Sequence, residues 1–309
     1  MKYAGYRLSF KQGVHFGSTT VESAEMTFGA DRLFSALCQE AVSIGEDKLT
    51  ELYGLADKGE LLLSDAFPYA GGEYYLPKPL LRIRGNARET DARERKKYKK
   101  LSYVPAGQFA VFVRGEADID ALGRQDFGKK IVKTSVNLQG EESVPYRIGT
   151  FNFSEENASG LYIVVAYQDK KTKYFLEELL DMLSFSGLGG RRSSGLGRFE
   201  LYGAELPQEL NECLEAETGL YMNLSAALPL NEELPEALEG ARYLLTKRSG
   251  FIASESYAGE PHRKRDIYAF QTGSCFKTKF KGQIADVSAP YGNHPVYRYL
   301  KPIWMGIGL

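Results

Sequence analysis

Residues 186–199 read Ser-Gly-Leu-Gly-Gly-Arg-Arg-Ser-Ser-Gly-Leu-Gly-Arg-Phe, and no other stretch constrains the chain as much. Five glycines, three arginines and three serines separate a helix-like run, apolar at Phe175, Leu176, Leu179, Leu180, Met182 and Leu183, from a strand-like run over residues 198–202. Glycine lets the backbone turn through positive φ and carries no Cβ to block an approaching ligand. Successive amide N–H groups in such a loop can converge on an anion. Arginine adds a permanent charge and a planar fork that matches phosphate. The pattern predicts a flexible, arginine-bearing hinge between a helix and a strand. It suits a phosphate-bearing partner, and a polymer more than a nucleotide.

Nucleotide-binding loops fit poorly. A Walker A loop needs G-x-x-x-x-G-K-[ST], and no lysine follows a glycine in that frame here. A dinucleotide fingerprint needs its glycines after a strand and before a helix, and in this chain the helix comes first. The net charge of −1 over 309 residues points to no nucleic-acid partner by itself; the distribution of charge carries that argument. Cys38, Cys213 and Cys275 are odd in number and far apart. They support neither a disulfide framework nor a structural zinc site. No cofactor and no metal are expected. Residues 1–11 alternate like a strand and lack the cationic start and apolar core of a signal peptide. The expectation is a cytoplasmic protein with no membrane contact.

Along the chain, residues 3–11 read as a strand and residues 12–28 as a loop. A helix follows, with Asp31 as its cap and Leu33, Phe34, Leu37, Cys38 and Ala41 on one face. Residues 61–69 and 74–83 are strand-like, the second demoted to an edge or a loop by Pro77 and Pro79. Residues 78–100 hold ten basic side chains against three acids, which predicts a short mobile segment in contact with RNA phosphates. Residues 109–114 read as a strand. Residues 129–137 are basic and precede a turn at Gln139-Gly140, as in a projecting hairpin. Residues 161–167 form a strongly β-prone central strand, followed by the helix, the glycine loop and the last strand. The order β-α-β-β-α-β is ferredoxin-like, or RRM-like. Pro207 and the Glu-rich residues 209–217 mark a boundary. Beyond it lie short strands and one helix over residues 230–238, with Asn231 as its cap. The fold class is α+β with two ferredoxin-like (RRM-like) domains. Residues 1–206 form the first, with a basic thumb or hairpin insertion at about 84–158 and the glycine-rich loop at 186–198. Residues 207–309 form the second, irregular, degenerate and β-rich.

A ferredoxin-like domain with a glycine-rich loop between its last helix and last strand resembles the RAMP superfamily of CRISPR proteins. Further passages narrow the resemblance. These are residues 14–17 (Val-His-Phe-Gly), 28–38 (Phe-Gly-Ala-Asp-Arg-Leu-Phe-Ser-Ala-Leu-Cys), 160–162, 273–276, 282–287 and 294–299 (His-Pro-Val-Tyr-Arg-Tyr). In order and over nearly the whole length, they are similar to the fourth-subunit family of type III-A Csm effector complexes, in the Cas-five-like group. The resemblance implies a non-catalytic subunit in antiviral defence that binds the 5′ repeat-derived tag of the crRNA. It implies a cap on the 5′ end of the ribonucleoprotein, in contact with the large polymerase-like subunit and a backbone RAMP subunit. It also implies a hairpin thumb that meets the guide–target RNA duplex.

Candidate RNA contacts follow. Arg191 and Arg192, with the amides of Gly189, Gly190 and Ser193, would hold tag phosphates. Arg32 and Ser35 open the first helix, whose N-terminal amides favour anions; capping plus a surface charge is the plainer reading. Lys133, Ser135 and Asn137 would belong to the thumb, with Val136 as a wedge at a base step. Lys247, Arg248 and Phe251 form a basic-aromatic run suited to a splayed base, with core packing of Phe251 as the alternative. An enzyme reading uses His15 as general acid/base of a metal-independent RAMP endoribonuclease that processes precursor crRNA, since RNA cleavage needs a group titrating near neutrality. A third reading is a protein bridge without RNA contact, separable by its weak dependence on salt.

Overall fold

The first strand, Lys2–Ser9, alternates as a pleated strand must. Tyr6 and Leu8 enter one core, and Tyr3 turns toward another. In the computed structural model, which describes residues 1–17, 20–82, 92–123, 125–137, 144–252, 257, 262–290 and 292–308, this strand lies between two antiparallel neighbours. On one side is Gly160–Tyr167, in register from Lys2 opposite Tyr167 to Leu8 opposite Leu161. On the other is Glu200–Ala204, with Gly5 opposite Ala204. Phe67–Ala70 pairs with the far side of Gly160–Tyr167, and Glu73–Pro77 and Tyr103–Pro105 extend the sheet, so that Glu73–Pro77 is paired on both sides and is not the edge strand or loop that Pro77 and Pro79 suggest. Leu61–Leu63 also pairs with Gly160–Tyr167, which completes seven strands.

Gly160–Tyr167 is buried at every position but its last. A continuous apolar run marks a strand covered on both faces. Leu161, Ile163 and Val165 pack under the helices Ala30–Ile44 and Lys170–Ser186. Tyr162, Val164 and Ala166 face Leu206, Leu210, Leu214, Met222 and Met305. The second face of the sheet is thus closed by residues from the last third of the chain. Each fully buried aliphatic side chain there contributes about 1.5–3 kcal/mol.

The C-terminal third has a small sheet, with Tyr221–Asn223 between Cys275–Phe276 and Trp304–Gly306. It also has two hairpins, Leu245–Arg248 with Ile267–Phe270 and Gln283–Asp286 with Tyr297–Leu300. The second hairpin sits against the first helix. The ring of Tyr299 lies 5.3 Å from that of Phe34, and its hydroxyl accepts the Leu63 N–H at 2.9 Å.

Several expectations need correction. Residues 109–114 are not a strand: Phe109–Val113 is a short helix, which buries Phe109, Phe112 and Val113 together. Asp31 does not cap the first helix. Gly29 is the N-cap residue, and Asp31 is buried one position inside the helix. Asn231 does not cap the short helix Leu234–Leu238, whose N-cap is Glu233. The Glu-rich stretch forms the helix Gln208–Glu215, with Leu210 and Leu214 buried. The basic segment is partly helical, over Ala92–Lys100, and two of its lysines are engaged. Lys78 donates to the Tyr98 carbonyl at 2.7 Å, and Lys97 is paired with Asp120 at 2.5 Å. Residues 83–91 and the turn at Gln139-Gly140 lie outside the described residues.

Candidate nucleic-acid interface

The helix Lys170–Ser186 ends where Gly187 adopts φ +81° and donates its N–H to Leu183. Leu188, fully buried, then anchors the glycine loop, and its N–H reaches the Gly197 carbonyl at 2.9 Å. Gly197 in turn donates to Gly13 at 3.3 Å. The hinge is therefore not loose at its base: the stem is welded to its own chain, and the tip projects. Arg191, Ser193, Ser194 and Arg198 are exposed.

Arg191 sits at φ +62°, in the left-handed region. A non-glycine residue held there costs on the order of 1–3 kcal/mol and persists only where its surroundings over-determine it. That conformation carries the Arg191 guanidinium to 5.1 Å from the ring of Tyr146 on the neighbouring hairpin. Arg192 donates to the side chain of Gln39 on the first helix at 3.2 Å. The two loop arginines thus reach opposite walls of one surface.

His15 joins those walls. Its carbonyl accepts the Gly190 N–H at 2.9 Å, and its Nδ1 lies 2.6 Å from the Gly149 carbonyl in the hairpin root. The Gly190 amide is thereby spoken for, which removes it from the set expected to hold phosphate. Glycine is required beside it for space: a Cβ on Gly189, at φ +101°, would lie 2.8 Å from the His15 carbonyl oxygen and 2.9 Å from the Phe16 ring. The His15 residue is only 9% exposed.

The hairpin Gly128–Asn137 with Val144–Phe153 projects as the sequence pattern predicts. It is paired from Gly128 opposite Phe153 to Asn137 opposite Val144. Phe151 and Phe153 enter the core and Val14 bridges to Phe151, so the root is fixed. Farther out, Val132, Lys133, Thr134 and Val136 are exposed, and Ser135 is half-buried. The side chain of Asn137 lies outside the described ones.

On the other side of His15, Arg32 donates to the Gly17 carbonyl at 3.0 Å and lies 5.9 Å from the Phe16 ring. The amides of the first helix do not wait for a ligand as expected. The Ala30 N–H goes to Asp65 at 2.7 Å, because the half-buried Asp65 carboxylate occupies that place. Ser35 is half-buried on the same helix. Asp31 meets Arg298 at 2.5 Å and Arg248 at 3.8 Å, with its own side chain 5% exposed. Burial pushes the Asp31 carboxyl up, but Arg248 and Arg298 outweigh it and hold the group below the usual carboxylate range. Burial pushes the Asp65 carboxyl up instead. Lys264, beside Arg298 and Arg32, is lowered by burial and by those charges to about 8.

Lys247 is not a free cation either, since Asp266 pairs with it at 2.7 Å. Phe251 is 59% exposed and carries the Arg263 guanidinium 5.3 Å from its ring, which argues against the core-packing alternative. On this side of the molecule Tyr146, Arg191, Arg32, Arg248 and Lys264 are at least partly accessible, and they lie over the buried His15, Phe16 and Arg298. Lys264 belongs to a basic run visible in the sequence, whereas nothing local marks Tyr146 or Arg298 for this side of the molecule. Among the described residues, no group of three or more His, Cys, Asp or Glu could hold a metal ion. No helix among them is long and apolar enough to cross a membrane.

Comparison with known proteins agrees with the family resemblance. Residues 216–307 match the family described as the CRISPR Csm4 C-terminal domain. The chain is 39% identical over 306 residues to a CRISPR system Cms protein Csm4 of Mycobacterium tuberculosis, covering 98% of this chain and 97% of that one. It is 36% identical over 311 residues to the Streptococcus thermophilus protein of that name, covering 98% of each. Its fold is similar to a chain in the crystal structure of a Csm3-Csm4 subcomplex of the type III-A CRISPR-Cas interference complex. The TM-score is 0.69 at 20% identity, over 99% of this chain and 100% of that one. A chain of a Csm1-Csm4 cassette crystallised with AMPPNP is similar at a TM-score of 0.64 and 20% identity, over 99% and 98%.

Proposed function

The chain belongs to the Csm4 family of CRISPR proteins, and from that membership we propose that it is a non-catalytic, RNA-binding subunit of a type III-A Csm ribonucleoprotein. It binds the 5′ repeat-derived tag of the crRNA and connects the large polymerase-like subunit to a backbone subunit. The solved relatives named as Csm1-Csm4 and Csm3-Csm4 assemblies support those two partners. The observation that supports RNA binding is the placement of Arg191 against the basic hairpin, and of Arg32 and Arg248 at the start of the first helix, on either side of the His15 contact. Arginine forks on a backbone-lined surface suit phosphates, and the exposed Phe251 ring and the half-buried Tyr146 ring suit unstacked bases.

The strand order supports a ferredoxin-like first domain over residues 1–206. Glu200–Ala204, Lys2–Ser9, Gly160–Tyr167 and Phe67–Ala70 lie side by side, with a helix after the first and third in chain order. Residues 207–309 form the degenerate second unit, docked through Tyr299 and the Asp31 ion pairs. Lys133, Ser135 and Asn137 lie on the thumb, toward the guide–target duplex.

The geometry of His15 favours a structural part over a general acid/base. Its Nδ1 and its carbonyl are both engaged in holding the glycine loop to the hairpin. The test is to purify the full chain from cells that carry the complex and to sequence the RNA that travels with it. Short transcripts sharing one repeat-derived 5′ end, released steeply by salt, are the expected result. Recovery with protein partners but no RNA would leave the protein-bridge reading standing instead. Loss of precursor cleavage in His15→Ala, with assembly intact, would establish the nuclease.

A further inference from the structure

Four cationic side chains meet at the seam between the first helix and the C-terminal strands. Arg32 comes from the helix, Arg248 from Leu245–Arg248, Lys264 from the position after the bridge between Phe251 and Arg263, and Arg298 from Tyr297–Leu300. Two carboxylates, Asp31 and Asp65, face them from the same seam. Glu25 is felt by Arg32 as well, but it is a surface group that also pairs with Lys130 at 3.9 Å. The seam therefore holds more positive than negative charge in a poorly solvated place. Arg298 is 8% exposed along its side chain, and its Nη2 donates to the Ser249 carbonyl at 3.3 Å. The Nε groups of Arg298 and of Arg248 are buried without an acceptor. Among the described residues, the Lys264 ammonium has no hydrogen bond or ion pair, although its backbone N–H is held by Gly250. Buried, incompletely paired charge is costly. An anion seated against the accessible parts of Arg32, Arg248 and Lys264 would offset this charge, and would act on the buried Arg298 through its field rather than by contact. Arg248 keeps 25% of its side chain exposed, and Arg32 and Lys264 are half-buried, so the cluster is open on one side.

We propose that Arg32, Arg248, Lys264 and Arg298 form the seat of a single phosphate of the bound RNA. That phosphate neutralises the excess charge at the seam and so locks the C-terminal third onto the first helix when RNA is loaded. The inference rests on the RNA-binding function proposed above and adds to it a named phosphate site and a coupling between loading and docking. A phosphate is favoured over a partner's carboxylate because the seat lies on the same track as Arg191 and Arg192. Its donors also come from separate chain segments, and a phosphate offers more charged oxygens than a carboxylate with which to meet several of them at once.

Asp31 keeps Arg248 and Arg298 in place and is a positioning residue. Lys264 is the group that senses the anion. In the free protein it is lowered to about 8, facing Arg298, Arg32, Asp31 and Cys38. A bound phosphate favours its charged form, so binding takes up a proton above that pH.

The test uses the full chain with two probes, inorganic phosphate and a labelled single-stranded RNA. Phosphate should raise the thermal midpoint of the wild type above that in chloride at equal ionic strength, and Lys264→Gln should abolish the difference. RNA affinity of the wild type should fall about tenfold per pH unit from about pH 8 to 9.5, one proton being taken up. Lys264→Gln should bind more weakly with a flat profile over that range. Lys264 lies outside the helices and strands, so its variant is expected to fold; Arg248→Lys provides a second, milder probe of the same seat. Equal phosphate effects in wild type and Lys264→Gln, or RNA binding with the same pH profile in both, would overturn the phosphate seat alone. A wild-type chain that binds no RNA at any pH would overturn the RNA-binding reading itself.

Discussion

Replacing Asp31 by Asn removes one charge and almost no volume, at a point where two arginines depend on it. Arg298, 8% exposed, meets Asp31 at 2.5 Å, and Arg248 lies at 3.8 Å. Breaking a buried ion pair by neutralising one partner costs about 3–5 kcal/mol, because the other charge is left uncompensated. An Asn side chain still offers an acceptor, which places the expected loss near the lower figure. At roughly 2–4 °C per kcal/mol for a chain of this class, the thermal midpoint should fall by at least roughly 6 °C. The effect also has a sign in pH. The folded-state pKa of Asp31 is depressed, so its contribution is complete above the unfolded carboxylate value near 3.9 and fades as pH falls through the lower folded value. Urea unfolding of wild type and Asp31→Asn should give a large gap at pH 7 that narrows as the solution is acidified below about pH 4. A cycle with Arg298→Gln checks the partner: the double variant should lose less than the two single losses added together. A gap at pH 7 of less than about 1 kcal/mol, the value of an exposed pair, would refute the claim that this ion pair fastens the C-terminal third to the first helix.

Arg191→Ala with Arg192→Ala should weaken RNA binding by about 1.5–3 kcal/mol for each charge-assisted hydrogen bond removed, with a shallower salt dependence, as read by titration at several salt concentrations. Replacing residues 133–147 by a short turn should leave the thermal midpoint unchanged, since the root contacts at Gly149 and Phe151 remain, while crosslinks to a guide–target duplex disappear. Gly189→Ala should destabilise the chain by about 1–3 kcal/mol through overpacking against His15 and Phe16, measured by urea unfolding. Tyr299→Phe should cost about 1–3 kcal/mol, because the buried Leu63 N–H is left without its acceptor; a neutral result in the same assay would show that water replaces the hydroxyl.

What the sequence made legible was periodic or compositional. The strand over residues 161–167 and the helix before the glycine loop announced themselves by apolar spacing, because burial of a face repeats with the geometry of the element. The hairpin showed itself as a basic, β-prone stretch too polar for a core. Residues 109–114 misled for the same reason: Phe-Ala-Val-Phe-Val suits a strand by propensity, and only packing of Phe109 and Phe112 beside Tyr98 and Leu122 made it a turn of helix. The site was harder still. Its arginine loop is local, and composition alone marks it as a candidate. Its other half is assembled from Asp31, Arg248 and Arg298, up to 267 positions apart, and no window along the chain spans such a cluster.

That distance also changes how Asp31 and His15 should be understood. Beside a loop or at a helix start, an aspartate suggests a cap and a histidine suggests chemistry, since those are the roles their neighbours in sequence allow. In three dimensions each is the point where separate segments meet: His15 ties the glycine loop to the hairpin root, and Asp31 ties the first helix to two C-terminal strands. Arg32 lies between them, bonded to the His15 side through Gly17 and electrostatically coupled to Asp31. A ligand that engages Arg191 and Arg248 together must therefore bear on both junctions at once. For that reason the loop variants and the seam variants should be non-additive in RNA binding, whereas two independent basic patches would give effects that simply sum.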